Sequence, residues 1–219
     1  KECKSLGYKG IVFTVDAPRL GTRERDERNS FKMPDNLKLG NFIGTKFEHF
    51  DKIEEYDGSS MKVHSDHLFD PSLTFDIIPW IKEQSSLPVL VKGILRPDDA
   101  TQALSFGADG IIISNHGGRQ LDSAVPTLKQ IEPIRNTVGY EPLIIVDGGI
   151  RRGTDILKCI ALGADAVQIG RPILWGLQYG GQEGVELVLN MLKSELIEAM
   201  TLSGCKSLDE ITRDLVLKV

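Results

Sequence analysis

The sequence predicts an α/β fold built on a parallel sheet, and three observations predict it. Three segments share one design: "SLGYKGIVFTV" (5–15), "SFGADGIIISN" (105–115) and "ALGADAVQIGR" (161–171). Each places a glycine where a helix would end, then a short turn, then a β-rich apolar run. Two further runs, "LPVLVKG" (87–93) and "PLIIVDGG" (142–149), lack the glycine but also end in charged and glycine residues. Between these runs lie stretches with helical spacing. Strand and helix thus alternate about five times along 219 residues, the pattern of a parallel sheet crossed by helices.

The elements can be justified in order. Gly7, Gly107 and Gly163 suit the left-handed position just past a helix C-terminus, where a side chain would be strained. The runs that follow them are almost continuously apolar, as expected of parallel strands covered on both faces. Segment 74–84, "TFDIIPWIKEQ", opens on Thr74 as cap with Asp76 in the first turn; Pro79 makes that start irregular or moves it later. Segment 96–106 carries Pro97 and two acids at its start, both suited to a first turn. A helix over 125–138 is expected to break near Pro133. The helix over 153–162 takes Thr154 as cap and turns Ile156, Leu157, Ile160 and Ala161 to one face. A long amphipathic helix over 184–202 ends at Gly204, and Ser207 caps a last short helix. Residues 24–70 break the rhythm with polar, charged and glycine-containing text. They are expected to form a long loop covering the C-terminal strand ends.

Composition narrows the function classes. The chain is 41% hydrophobic and 26% charged, with a net charge of −5. That balance argues against a broad nucleic-acid surface. No apolar run approaches the ~20 residues of a membrane helix, and no signal peptide opens the chain. Cys3, Cys159 and Cys205 are scattered and odd in number, fitting a reduced compartment. The first residue is Lys1, and "KECKSLGYKG" reads as the tail of an earlier helix, so the chain is expected to be part of a longer protein.

The chemistry gathers at the strand ends. Asp16, Arg19 and Arg23 follow the first strand, Lys92 the second, and Ser114, Asn115, His116 and Arg119 the third. Asp147 and Arg151 follow the fourth, Gly170 and Arg171 the fifth. Ligands of parallel α/β folds bind at that edge. "DGGIRR" offers glycine N–H groups, cations and a helix N-terminus just beyond, and "IGRP" repeats the idea. Together they predict a phosphate site. In (β/α)₈ barrels such sites follow strands 7 and 8. That reading makes the first strand here the fourth of eight, with three units upstream; an open doubly wound sheet is the other fold the pattern admits. His116 is the candidate base, with Asp16 able to accept its ring N–H and so fix the tautomer. Arg119 can clamp a carboxylate with its planar fork. Lys92 is a point charge at a strand end, with an imine-forming role as the rival. His64 and His67 form H-x-x-H without a third ligand nearby, so no metal site is expected. Cys159 and Trp175 read as packing, and "EHFDKIEE" as solvated loop.

These residues resemble the FMN-dependent α-hydroxyacid oxidase/dehydrogenase family of the glycolate oxidase type. The resemblance runs through "FTVDAPRLGTRERDERNSF", "LPVLVKGIL", "IIISNHGGRQLD", "VDGGIRRGTDILK", "IGRPILWGL" and "MTLSGCKSL", almost the whole chain apart from part of the long loop. "SNHGGRQLD" is its most specific motif, and "VKGIL" with "GRPILWGL" is nearest the oxidase branch. The resemblance implies a (β/α)₈ barrel of which this chain holds the last five units, strands 4 to 8. It implies that Thr14, Lys92 and Ser114 contact the ring of FMN, with Lys92 at its N1 edge. Asp147, Gly148, Gly149, Ile150 and Arg151, with Gly170 and Arg171, would hold the ribityl phosphate. By the same resemblance His116 and Asp16 would form the catalytic pair, and Arg23, His116 and Arg119 would take the substrate. The implied reaction oxidises an L-2-hydroxy acid to a 2-keto acid and passes the electrons to O₂, giving hydrogen peroxide, or to another acceptor. The implied partners are that small acid, the electron acceptor, the N-terminal part of the barrel and further copies in an oligomer, often a tetramer, in a peroxisomal or cytoplasmic setting. The terminal "LKV" is not an S-K-L-type address. Two other readings stay open: a flavin-free phosphate-binding barrel that uses Lys92, and a non-catalytic partial barrel.

Overall fold

The structure, a computed structural model, describes residues 2–32, 34, 36–38, 40–45 and 69–217. The chain divides into two compact units, Lys1–Asp16 with Thr74–Val219, and Ala17–Leu73. His64, His67 and the run 48–55 lie outside the described residues.

The first unit is a five-stranded parallel sheet. Its strands are β1 (Ile11–Thr14), β2 (Val89–Ile94), β3 (Gly110–Ile113), β4 (Leu143–Val146) and β5 (Ala166–Val167). They lie side by side in chain order, β1-β2-β3-β4-β5, each parallel to the next. A doubly wound sheet reverses its strand order at a switch point, whereas a barrel adds each unit beside the last. The order is therefore that of five β/α units of a (β/α)₈ barrel, and the open-sheet alternative falls. The intervening helices are α3 (Ile77–Ser85), α4 (Pro97–Ser105), α5 (Leu128–Val138) and α6 (Gly153–Ala161), with α1 (Glu2–Ser5) before β1 and α7 (Arg171–Leu202) after β5. In the second unit lie α2 (Glu24–Arg28) and a short 3₁₀ turn, Gly40–Phe42.

Period-two alternation sorts the strand residues. Val89, Val91, Ile111, Ile113, Ile144 and Val146 are fully buried against Ile78 of α3, Ala100 and Ala103 of α4, and Ile131 and Ile134 of α5. Each isoleucine buried there contributes about 2 kcal/mol, so this face fixes the register. The other face carries Val12, Thr14, Lys92 and Leu143; Val12 is 47% exposed and Leu143 40%. Among the described residues the expectation of strands covered on both faces holds for β3, where Ile112 is buried as well, whereas β2 and β4 bury one face fully.

The likeness of the three repeated segments has a structural cause. Gly7, Gly107 and Gly163 all have positive φ, as predicted. Two residues after the last two, an aspartate pins the neighbouring strand. Asp109 accepts the Val89 N–H at 2.8 Å and pairs with Lys82. Asp165 accepts the Ile144 N–H at 2.7 Å and pairs with Arg135. Arg135, 2% exposed, also donates to the carbonyls of Gly163, Gly139 and Pro142. The N-terminal ends of β2 and β4 are thus tied by side chains from the next unit.

Several local expectations need correction. Helix α5 runs unbroken through Pro133. Ile131 and Ile134, buried on either side, hold the two turns together against the missing N–H bond. Helix α3 begins at Ile77, so Pro79 falls in its first turn, and Thr74 instead donates its hydroxyl to Asp76. Thr154 is not the cap of α6. The N-cap is Arg152, two residues earlier, and Asp155 reaches back to accept the N–H groups of Arg151 and Arg152, each at 3.0 Å. That reach is half of a capping box. Helix α7 starts before 184 and is interrupted by non-helical Gly180 and Gly181, with Gly204 at positive φ beyond its end.

Candidate active site

A pocket of about 490 Å³ opens at the C-terminal strand ends, lined by residues that include Lys92, His116, Arg119, Asp147, Gly148 and Arg171. The five strand ends converge because the strands are parallel and adjacent, so each loop leaves the sheet on the same edge.

His116 sits directly after β3 in a 3₁₀ turn, His116–Gly118. Its φ is 56°. That is a left-handed conformation few L-residues adopt. Two contacts hold it there: its own N–H donates to Ser114 Oγ at 3.0 Å, and Asn115 Oδ1 accepts the Gly118 N–H at 3.1 Å. Gly117 and Gly118 are also at positive φ, which is why the corner needs both glycines. The turn delivers His116 Nδ1 to 2.9 Å from Asp16 Oδ1 across 100 residues of sequence. A carboxylate only accepts, so Nδ1 is the ring nitrogen that donates, and in the neutral ring Nε2 is the one with the lone pair. Arg119 is exposed at the end of the same turn and lines the pocket beside His116.

Lys92 stands beside the base rather than apart from it. Its Nζ donates to Ser114 Oγ at 2.8 Å and lies 3.2 Å from Asp147 Oδ2. Thr14 is its register partner on β1. Ser114 Oγ therefore accepts from both Lys92 and the His116 backbone, which uses both lone pairs and leaves the hydroxyl proton for another acceptor. Thr127, buried, donates its hydroxyl to the Asp147 carbonyl at 2.6 Å and fixes the corner from below.

The glycine corner expected to bind phosphate is bent as a turn would require. Gly148 and Gly149 have φ of 92° and 82°. Their peptides turn where other residues would be strained. However, the N-terminus of α6 is already filled. Arg151 and Arg152 give their N–H groups to Asp155, and Gly153 N donates to Glu195 Oε2 at 2.8 Å. Arg152 in turn pairs with Glu195 at 2.7 Å, so it is a packing residue. The helix end that faces the pocket is that of α7, where Gly170, Arg171 and Ile173 line it and Gly170 makes no side-chain cap. Such an end can take an anion. Arg171 donates to the Gly117 carbonyl, joining the base-bearing turn to this helix end. Arg151 bonds its own Ile150 carbonyl and lies 5.0 Å over the Trp175 ring. Trp175 therefore stacks on a cation instead of packing in the core. Cys159 is buried in the core as expected, and burial pushes its thiol up to about 12.

The residues fit a flavin mononucleotide. Asp147 Oδ1 is buried without a hydrogen-bond partner among the described residues, as is Asp16 Oδ2. The Ser114 hydroxyl proton is uncommitted. At Gly149 and Gly170 an added Cβ would meet no atom within 4 Å, which leaves open space beside both corners. Acceptors for ribityl hydroxyls, a cation for an anionic ring edge, and a guanidinium-flanked helix end for the phosphate are all present. Arg23 belongs to the second unit, at the N-terminal boundary of α2. Sequence reasoning missed Gly93, Gln120 and Thr127, all of which touch site residues; only the long-range contacts reveal them.

The fold is a parallel β/α unit array with a histidine, oriented by an aspartate, at the C-terminal edge of its sheet. Residues 1–218 match the family described as FMN-dependent dehydrogenase, and the chain belongs to that family. It is 45% identical over 218 residues to 2-hydroxyacid oxidase 1 of Mus musculus, covering 100% of this chain and 59% of that protein. It is 44% identical over 214 residues to a peroxisomal (S)-2-hydroxyacid oxidase of Arabidopsis thaliana, covering 98% of this chain and 57% of that protein. The crystal structure of mandelate oxidase with (S)-4-hydroxymandelic acid superposes with a TM-score of 0.86 at 40% identity, over 97% of this chain and 59% of that one. The chain thus spans under three fifths of the length of these relatives.

Proposed function

We propose that the protein to which this chain belongs oxidises a small L-2-hydroxy acid to the 2-keto acid, with FMN as its cofactor and O₂ as the final acceptor. The observation that carries this is the 2.9 Å contact between His116 Nδ1 and Asp16 Oδ1, in the same pocket wall as Arg119 and the glycine corners. Asp16 holds the Nδ1 proton, so Nε2 is the atom that takes the proton released by the substrate. Arg119 receives the substrate carboxylate through its guanidinium fork, and Arg23 is assigned to the same task. Lys92, neutralised in part by Asp147, places positive charge where negative charge develops during oxidation. Bound FMN would supply the two-electron acceptor that no protein side chain offers. Gly148, Gly149, Ile150 and Arg151, with Gly170 and Arg171, would hold its phosphate, and Thr14, Lys92, Ser114 and Asp147 the remainder. The imine-forming alternative for Lys92 is disfavoured by its two partners, Ser114 and Asp147, because an imine-forming amine needs a free lone pair and an unobstructed approach.

The substrate is in the class of glycolate, lactate or a longer 2-hydroxy acid, and the protein assembles as a homo-oligomer. A peroxisomal setting follows the plant relative. The test is His116→Gln in the full-length protein. It should keep bound FMN, with its yellow absorption, while anaerobic glycolate or lactate no longer bleaches it. Bleaching at the wild-type rate would refute the assignment of the base.

A further inference from the structure

We propose that Gln120 and Gly93 are positioning residues of the acid–base pair, fixing the Asp16 carboxylate against the His116 imidazole from two sides. The inference rests on reading His116 as the base, oriented by Asp16.

Asp16 lies two residues beyond the end of β1, where the ladder has nearly run out; the last bond before it is Val15 N to the Lys92 carbonyl. Its Oδ2 is buried with no partner among the described residues. A carboxylate in that state is drawn toward water, and rotation of the side chain would break the contact with His116. Something must hold it. Gln120 does so on one side: its Nε2 donates to the Asp16 carbonyl at 3.0 Å. Gln120 is only four residues past His116. The loop that carries the base thus also grips the main chain of the residue that orients the base. The two contacts, His116 Nδ1 to Asp16 Oδ1 and Gln120 Nε2 to Asp16 O, close a ring that fixes distance and direction together.

Gly93 acts on another side. It sits at the irregularity in the β2–β3 register between Lys92 and Ile94, with φ of 108°. A Cβ at Gly93 would stand 2.6 Å from Asp16 Cβ, 2.8 Å from its Cγ and 2.8 Å from its N. Asp16 therefore packs on the bare backbone of residue 93. Any side chain there would push the carboxylate off the imidazole, because the blocked atoms are Asp16's own backbone and the root of its side chain.

The experiment uses the FMN-loaded full-length protein with Gln120→Met, which keeps length and removes the donor, beside Asp16→Asn. Three quantities are read: the substrate-dependent rate of flavin reduction with its KM, the FMN dissociation constant, and the His116 tautomer from two-bond ¹H–¹⁵N NMR spectra. Gln120→Met should lower the reduction rate by about tenfold with KM and FMN affinity within about twofold of wild type, and the single Nδ1–H tautomer should become a mixture. Gly93→Ala should do the same or more severely; if it fails to fold, Gln120→Met carries the test alone. If Asp16→Asn slows reduction by about a hundredfold while Gln120→Met changes neither rate nor tautomer, the positioning role is refuted. A fall in FMN affinity as large as the fall in rate would also refute it. If Asp16→Asn itself leaves rate and tautomer unchanged, the reading of the acid–base pair fails instead.

Discussion

Replacing Arg135 by methionine should destabilise the protein strongly while leaving its chemistry alone. The side chain is 2% exposed and makes four hydrogen bonds: to the Gly163 carbonyl at 2.7 Å, the Gly139 and Pro142 carbonyls at 2.9 and 3.0 Å, and Asp165 Oδ2 at 2.6 Å. Methionine keeps most of the aliphatic packing but strands these acceptors. Removing one partner of a buried ion pair costs about 3–5 kcal/mol. Asp165 is 46% exposed, so water can solvate it once the arginine is gone. The figure therefore falls at the lower end, about 3 kcal/mol. A destabilisation of that size lowers Tm by at least several degrees. Differential scanning calorimetry of the FMN-loaded protein measures it, and turnover at room temperature serves as the control. A Tm within about 2 °C of wild type would show that this cluster does not clamp the sheet. Loss of turnover at unchanged Tm would show that the two ends of the strands are not independent.

Two further predictions concern packing and pH. Asp109 is held below its ordinary value of 3.8: burial pushes it up, but the Val89 N–H and Lys82 outweigh that. A lowered folded-state value means the carboxylate stabilises above about pH 4 and that this contribution is lost as the pH falls through the folded value. Asp109→Asn should therefore flatten the dependence of Tm on pH in the acid range, and an unchanged slope would count against the Val89 contact. At Gly153 an added Cβ would lie 2.1 Å from Leu196 N on α7. Gly153→Ala should therefore destabilise by about 3 kcal/mol or prevent folding; a Tm within about 2 °C of wild type would refute that close approach of α6 to α7.

What the sequence made legible was whatever is local. The glycine corners, the alternation of strand and helix, and the charged residues at each strand end are read from neighbours in the chain, and His116, Lys92, Asp147 and Arg171 do meet at one pocket. The pairing of Asp16 with His116 was legible only because both follow strands, and all strand ends of a parallel sheet share an edge. What escaped depends on tertiary contacts. The α6 N-terminus reads as an anion site, yet Glu195 from a distant helix occupies it. Pro133 reads as a break, yet buried isoleucines on both sides keep the helix whole. Gly93 looks like any strand-end glycine until Asp16 is found against it. The repeated "GAD" at 107–109 and 163–165 was a missed signal, since an acid recurring at the same place in two units is one that two strands need.

The two ends of the sheet differ in how their polar groups are satisfied, and that difference is what assigns function to one of them. At the N-terminal end, Asp109 and Asp165 bond the backbone of the adjacent strand and pair with a cation. Polar side chains there stitch one unit to the next. At the C-terminal end the carboxylates Asp16 and Asp147 each use one oxygen, on His116 and Lys92, and each leaves the other oxygen buried without a partner among the described residues. An unsatisfied buried acceptor costs about 1–3 kcal/mol. His116 adds a left-handed backbone to that cost. Two buried acceptors without partners among the described residues lie on this rim beside open glycine corners, which supports the proposal that it is completed by something it binds. The family relation makes a flavin the group expected there, and the proposed function accounts for the two unpartnered carboxylate oxygens by placing it on that rim.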